Sequence, residues 1–158
     1  MIATNEQSFS SGTDEVRSYS IEQVAAQTGL TKRTLRYYEE VGLLPPTGRT
    51  EGNYRRYSEE DIQRLEAIKR LRDLLGFSLA DIREIMEAED ERGMLKEAYQ
   101  QETEAAAKIA QLDRGDELLL RQLHLIELKI AGLEQMRTTL LAKIERHKQT
   151  RKILLNQK

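Results

Sequence analysis

Six cations fall between Thr31 and Tyr57. Lys32, Arg33 and Arg36 open the run TKRTLRYYEEVGLLPPTGRTEGNYRRY and Arg49, Arg55 and Arg56 close it, opposed only by Glu39, Glu40 and Glu51. The window therefore carries +3 in a chain whose total is −2. Guanidinium and ammonium groups bind phosphate by charge-assisted hydrogen bonds and release its condensed counterions, so a local patch suffices even in a mildly acidic protein. Tyr37, Tyr38, Tyr54 and Tyr57 are interleaved with the arginines. Such a cationic and aromatic cluster implies a grip on duplex DNA.

Positioning that cluster requires short, sharply bounded elements. Ser20 with Gln23 three residues on is a capping-box pattern, and Ile21, Val24 and Ala25 recur on one helical face, which predicts a helix over about 21–28. Gly29 breaks it, and Thr31 caps a second helix. Two short helices around a tight turn form a helix-turn-helix, whose second helix enters the major groove. On that helix Leu35 points inward and Lys32, Arg33 and Arg36 lie on the early turns; Tyr38 is expected outward or at the rim and Tyr37 nearer the core. Gly42, Pro45 and Pro46 end the helix, and TGRTEGNY suits a hairpin-like wing presenting Arg49, Tyr54, Arg55 and Arg56.

The next stretch supplies the core. Ser58 caps a helix with Glu59, Glu60 and Asp61 in its first turn, an apolar stripe runs through Ile62, Leu65, Ile68 or Lys69, and Leu71 to Leu75, and Gly76 stops it. Ser78 caps another helix whose buried side is Leu79, Ile82, Ile85 and Met86. Together with Ile21, Val24, Leu35, Leu43 and Tyr57, these residues close a core of about 70 residues, marginal unless oligomerisation reinforces it.

Downstream, the polar stretch AEDERG breaks the pattern, residues 94–108 read as a helix, and a 4-3 repeat begins at Leu112. One seam position holds Leu112, Leu119, Ile126, Leu133, Leu140, His147 and Leu154; the other holds Asp116, Leu123, Ile130, Arg137, Ile144 and Arg151. The dimerisation candidates are Leu119, Leu123, Ile126, Ile130, Leu133, Leu140 and Ile144. Twofold dimers read pseudo-palindromic DNA.

The segment from about Tyr19 to Met86 resembles the MerR family of dimeric transcription regulators through LRYYEEVGLL, NYRRYSEEDI and GFSLADI, in that order. The resemblance implies a winged helix-turn-helix, a second helical pair, and a long helix that pairs antiparallel with its dimer mate. Carried over by motif, Arg33, Arg36 and Tyr38 are recognition-helix contacts, Arg49, Tyr54 and Arg55 wing contacts, and Arg72 a backbone contact. Thr31, Lys32 and Arg56 complete the candidate DNA-binding set. The RLRDLLGF region carries one residue more than the family commonly has, and one residue turns a helix by about 100°. The resemblance also implies binding at a promoter operator, where the spacer is bent and untwisted so that RNA polymerase engages both elements.

The expected fold is thus mostly α with a small β wing: a polar, disordered tail over 1–17, a winged head over 18–90, a connecting helix over 91–110, and a coiled-coil dimerisation helix with a basic tail over 111–158. Cysteine is absent, which excludes disulfides and thiolate chemistry, and His124 and His147 lie too far apart along one helix to share a metal, so no metal or cofactor is expected. The acidic residues are explained as helix caps, and there is no nucleophile-base pair or glycine-rich phosphate loop, so an enzyme is not expected. No apolar run approaches the ~20 residues of a membrane span, and a cytoplasmic location without membrane partners follows as an expectation. A small-molecule effector would have to bind at the rod or between rod and head. The alternative reading is a coiled-coil interaction protein that keeps the helix-turn-helix fold without binding DNA.

Overall fold

The structure, a computed structural model, describes residues 17–157. The expected tail over 1–17 therefore lies, Arg17 apart, outside the described residues. The chain forms two compact units, one ending at Ile82 and the other beginning at Arg83.

The first unit opens with a strand the sequence did not signal, β1 (Tyr19–Ser20). Ser20 ends it and caps α1 (Ile21–Thr28) in a full capping box: its hydroxyl accepts the Gln23 N–H, and the Gln23 side chain accepts the Ser20 N–H. Gly29 ends α1 at φ 72°, a left-handed conformation that costs glycine nothing. Thr31 caps α2 (Lys32–Glu40), accepting the Thr34 N–H at 3.1 Å. The wing follows as β2 (Gly48–Arg49) and β3 (Arg55–Tyr57). β3 is the central strand, antiparallel to both neighbours, with Tyr19 opposite Tyr57 and Gly48 opposite Arg56. A turn over 50–53 joins β2 to β3, with Asn53 at φ 61° and its N–H donated to the Thr50 carbonyl.

Ser58 caps α3 (Glu59–Lys69) in a second capping box with Asp61. α3 does not run on as an α-helix to Gly76: Arg70–Leu74 forms a π-helical segment, in which the Leu75 N–H reaches the Arg70 carbonyl at 3.2 Å. A π turn accommodates one residue more than an α turn. The widened turn falls within RLRDLLGF, the stretch where the sequence resemblance implied an additional residue. The widening also corrects the expected apolar stripe. Leu71 stays half-buried, but Leu74 and Leu75 turn outward, and Phe77 fills the core instead. Leu79, expected buried, lies at the surface as well.

The core of this unit comprises Val24, Leu30, Leu35, Tyr38, Leu43, Leu44, Tyr57, Ile62, Leu65, Ile68, Phe77 and Ile82. Two cations on α3 tie its neighbours down: Lys69 Nζ donates to the Thr28 carbonyl at the end of α1, and Arg64 Nε to the Leu43 carbonyl just after α2. A cation at a helix C-terminus also complements the helix dipole.

Ser78, accepting the Asp81 N–H, starts α4 (Leu79–Gln101), which crosses into the second unit. The AEDERG stretch does not interrupt it, and no separate helix spans 94–108. The interruption falls at 102–104, where one Glu102 carboxylate oxygen accepts the N–H groups of Thr103 and Glu104, before α5 (Ala105–Asn156) begins. Within the second unit, α4 and the first part of α5 form an antiparallel hairpin. Arg114 bridges to Glu91, Gln122 donates to the Ile85 carbonyl and to Glu89, and Leu118, one turn from each, is the buried residue between them.

Candidate nucleic-acid interface

The Thr31 cap and the Gly29 turn set α2 so that Leu35 and Tyr38 face inward, with 0% and 1% of their surface exposed. Tyr37, 45% exposed, faces out. This reverses the sequence assignment of the two tyrosines. Tyr38 lies three residues beyond Leu35 and so shares its face, whereas Tyr37 lies two beyond and cannot. The signal was present in the spacing.

The outward side of α2 carries Lys32, Arg33 and Arg36, all exposed. Lys32 is bound to Glu22 on α1 at 2.8 Å, and that bond holds the Glu22 carboxyl below its ordinary range. Arg33 and Arg36 form no ion pair or hydrogen bond among the described residues. They line an open groove of about 570 Å³ with Tyr37, Tyr38, Arg72 and Leu79, so Arg72 is brought to the foot of the recognition-helix face.

Arg72 is nevertheless strongly committed within the unit. Its Nε donates to Asp73 at 2.7 Å, its Nη1 donates to the Tyr38 hydroxyl, and its guanidinium carbon lies 5.9 Å from the Tyr38 ring centre. The bond to Asp73 raises the Arg72 pKa and depresses that of Asp73, while burial raises that of Tyr38. Arg72 thus gives the buried phenol of the recognition helix its hydrogen-bond partner.

In the wing, Tyr54 stands 76% exposed, and Arg49 Nη1 donates to both the carbonyl and the side-chain oxygen of Asn53, bracing the turn. Arg55 and Arg56 point to opposite faces of β3, as strand alternation requires. Arg55 Nε donates to Glu39 at 2.7 Å with the pair largely shielded, which fastens the wing to the end of α2. Arg56 donates to the Ser18 hydroxyl. Sequence reasoning missed Glu39, which it counted only as an opposing charge; its spacing from Arg55 crosses a loop and leaves no periodic trace. Tyr57, fully buried beside them, has a hydroxyl with no hydrogen-bond partner among the described residues, and burial raises its pKa.

The sequence-derived candidates accordingly fall into two groups. Arg33, Arg36 and Tyr54 are exposed, their side chains without ion pair or hydrogen bond among the described residues, Lys32 and Arg49 are exposed with one local partner, and Thr31 is exposed at the cap. Arg55, Arg56, Arg72 and Tyr38 are partly or wholly buried and bonded within the head. The dimerisation candidates Leu119, Leu123, Ile126, Ile130, Leu133, Leu140 and Ile144 are each between 42% and 56% exposed, a half-exposed apolar stripe along α5 among the described residues. No helix of the described residues is long and apolar enough to cross a membrane.

A helix-turn-helix whose second helix presents unpaired arginines, flanked by a three-stranded wing, defines a winged helix-turn-helix DNA-binding head. The model of the MerR HTH family regulatory proteins matches residues 19–89. The chain is 39% identical over 120 residues to the HTH-type transcriptional regulator YfmP of Bacillus subtilis, covering 76% of this chain and 86% of that one. It is 34% identical over 127 residues to YyaN of the same organism, also named an HTH-type transcriptional regulator, covering 80% of this chain and 88% of that one. A crystal structure from Listeria monocytogenes assigned to the MerR family matches with a TM-score of 0.53 at 24% identity, over 82% of this chain and 85% of that one, a likeness of fold. The chain belongs to the MerR family and is a transcriptional regulator of that type.

Proposed function

We propose that this regulator binds a pseudo-palindromic promoter operator as a homodimer, with α2 of each head in the major groove and the wing against the flanking phosphates. The observation that carries this reading is the pair Arg33 and Arg36, exposed on the early turns of a capped recognition helix and without ion pair or hydrogen bond among the described residues. Cations left unpaired beside an open groove are poised to exchange counterions for phosphates. Thr31 and Lys32 at the start of α2, and Arg49 and Tyr54 at the wing tip, extend the same surface. We assign Arg55, Arg72 and Tyr38 chiefly to holding wing and recognition helix in position, with the Nη groups of Arg55 and the exposed part of Arg56 still able to meet a phosphate.

The exposed apolar stripe of α5 supports dimerisation, since leaving it in water would forfeit about 25 cal/mol for each Å² it could bury. The chain then divides into a head within 18–90, a connection through 91–110 and a dimerisation rod from 111 onward. Bending and untwisting the promoter spacer is the mode of control, with RNA polymerase engaged through the DNA and the protein acting in the cytoplasm. Smooth bending of a site costs roughly 1 to 6 kcal/mol, so the active dimer must offset it with phosphate contacts made only on bent DNA. An effector, if one acts, sets the relative orientation of the heads. The interaction-protein alternative has no comparable observation behind it.

Footprinting the protein on DNA flanking its own gene tests the proposal: a protected, roughly twofold-symmetric site with hypersensitive cleavage at its centre is expected. Uniform, sequence-independent protection would overturn it.

A further inference from the structure

The second unit holds an open groove of its own, about 240 Å³ between α4 and the first part of α5. Its α4 wall is a single helical face, on which Arg92, Leu95, Lys96 and Tyr99 stand in successive turns. Lys108 Nζ, 4.9 Å from the ring centre of Tyr99, braces that ring as part of the wall. From α5 come Leu112 and Leu119, both apolar and partly exposed. Gly115, between them, adds no side chain, and a Cβ there would meet nothing within 4 Å, so the floor stays open.

The polar groups of the groove give it a chemical preference. Arg92 and Lys96 set two cations on the α4 wall against one carboxylate, Asp116, on α5. Lys96 is exposed and has no ion pair or hydrogen bond among the described residues, while Arg92 commits one guanidinium nitrogen to Glu89 at 2.8 Å. Gln111 also lines the groove, and its Oε1, shielded from solvent, has no hydrogen-bond partner among the described residues. Buried acceptors ordinarily hold a donor, so this oxygen can accept an N–H or O–H from a ligand. The hairpin register orders these groups. Arg114 bonds Glu91 and Gln122 bonds Glu89, so α5 runs back along α4 and brings Gln111 and Leu112 toward Lys96 and Tyr99. Asp116 and Leu119 fall toward the other end of the groove.

We infer that this groove binds a small amphipathic acid bearing an N–H or O–H donor, with its anionic group on Lys96, its apolar body on Leu95, Leu112 and Leu119, and its donor on Gln111. Arg92, one turn from Lys96, adds to the attraction, and Asp116 confines the anion to the Lys96 end. The site itself needs neither the DNA-binding nor the homodimer reading. Leu119 is also a dimerisation candidate, so under the homodimer reading occupancy and pairing are linked.

The test uses anilinonaphthalene sulfonate, an apolar anion with one N–H, titrated by fluorescence into the full-length protein. Gly115→Leu fills the groove on a helix that suits leucine better than glycine, and should weaken the probe by about tenfold or more. Gly132→Leu, the same change on the same helix but outside the groove, should leave its affinity within about twofold. Lys96→Glu should weaken the probe by about fivefold, and Asp116→Asn should tighten it. Phenylnaphthylamine, which lacks the sulfonate, should bind more weakly than the sulfonate and be indifferent to Lys96→Glu. Equal binding by Gly115→Leu and Gly132→Leu would mean that the dye spreads over the apolar stripe of α5, and would overturn the site. An unchanged affinity in Lys96→Glu, or weaker binding in Asp116→Asn, would overturn the acid as the occupant. Lys96 lies on α4, outside the seam of α5, so its result stands whatever Gly115→Leu does to pairing.

Discussion

Arg36→Ala and Arg72→Ala should separate phosphate contact from scaffolding. Arg36 is exposed and has no ion pair or hydrogen bond among the described residues, so its removal takes one phosphate contact from each head and leaves the fold intact. Each phosphate neutralised on duplex DNA adds about 0.9 to the slope of log affinity against log salt, so a dimer losing two contacts should have a slope shallower by about 1.8. Between roughly 50 and 200 mM salt, the parent should therefore lose about tenfold more affinity than the variant. Arg72 is spoken for by Asp73 and by the hydroxyl of Tyr38, itself 1% exposed. Its removal leaves a buried hydroxyl unpaired, at roughly 1 to 3 kcal/mol. For a head of this size each kcal/mol lowers the melting temperature by about 4–8 °C. Fluorescence-anisotropy titration at several salt concentrations, paired with thermal melts, reads both effects. A steep slope retained in Arg36→Ala together with a shallow slope and unchanged melting in Arg72→Ala would refute the division of roles.

Three further outcomes follow from particular contacts. Tyr57→Phe removes a buried hydroxyl that has no partner among the described residues and should stabilise the head by about 1 kcal/mol in thermal melts, whereas a loss of that size would reveal a bond to that hydroxyl. Arg114 holds the Glu91 carboxyl below its ordinary 4.5, so the pair's contribution is fully present above that value and is lost as pH falls through the depressed pKa; acid unfolding of Glu91→Gln should lack that component, and identical acid profiles would contradict it. Ile130→Asp places a charge in the seam and should yield monomers in sedimentation, with affinity for a full palindrome falling much further than for a half-site; a persistent dimer would refute the seam assignment.

Much of this was legible in the sequence because local rules governed it. Ser20 with Gln23 and Ser58 with Asp61 form the two capping boxes, and Gly29 and Gly76 take the left-handed conformations their positions suggested. What escaped depended on hydrogen-bond pattern or on distant partners. The π turn at Arg70–Leu74 uses residues that suit an α-helix equally well, so composition gave no sign that Leu74 and Leu75 would face solvent. AEDERG looked like a break because it is polar, yet Glu and Arg are good helix formers, and Gly93 costs a long helix only about 1 kcal/mol. β1 is two residues long and exists only through its pairing with β3. Of the candidate interface, the exposed cations of α2 were readable, whereas the clamp between Arg55 and Glu39 required the wing to fold back on the helix.

The central claim is a dimer whose two recognition helices read one twofold site. Selecting bound duplexes from a randomised pool with the full-length protein, and measuring the stoichiometry of the winning complex by sedimentation, tests it most directly. The account predicts an inverted repeat whose half-sites lie about one helical turn (~34–36 Å) or a multiple of it apart, occupied by two chains. Recovery of no common sequence, or of a site filled by one chain, would contradict it.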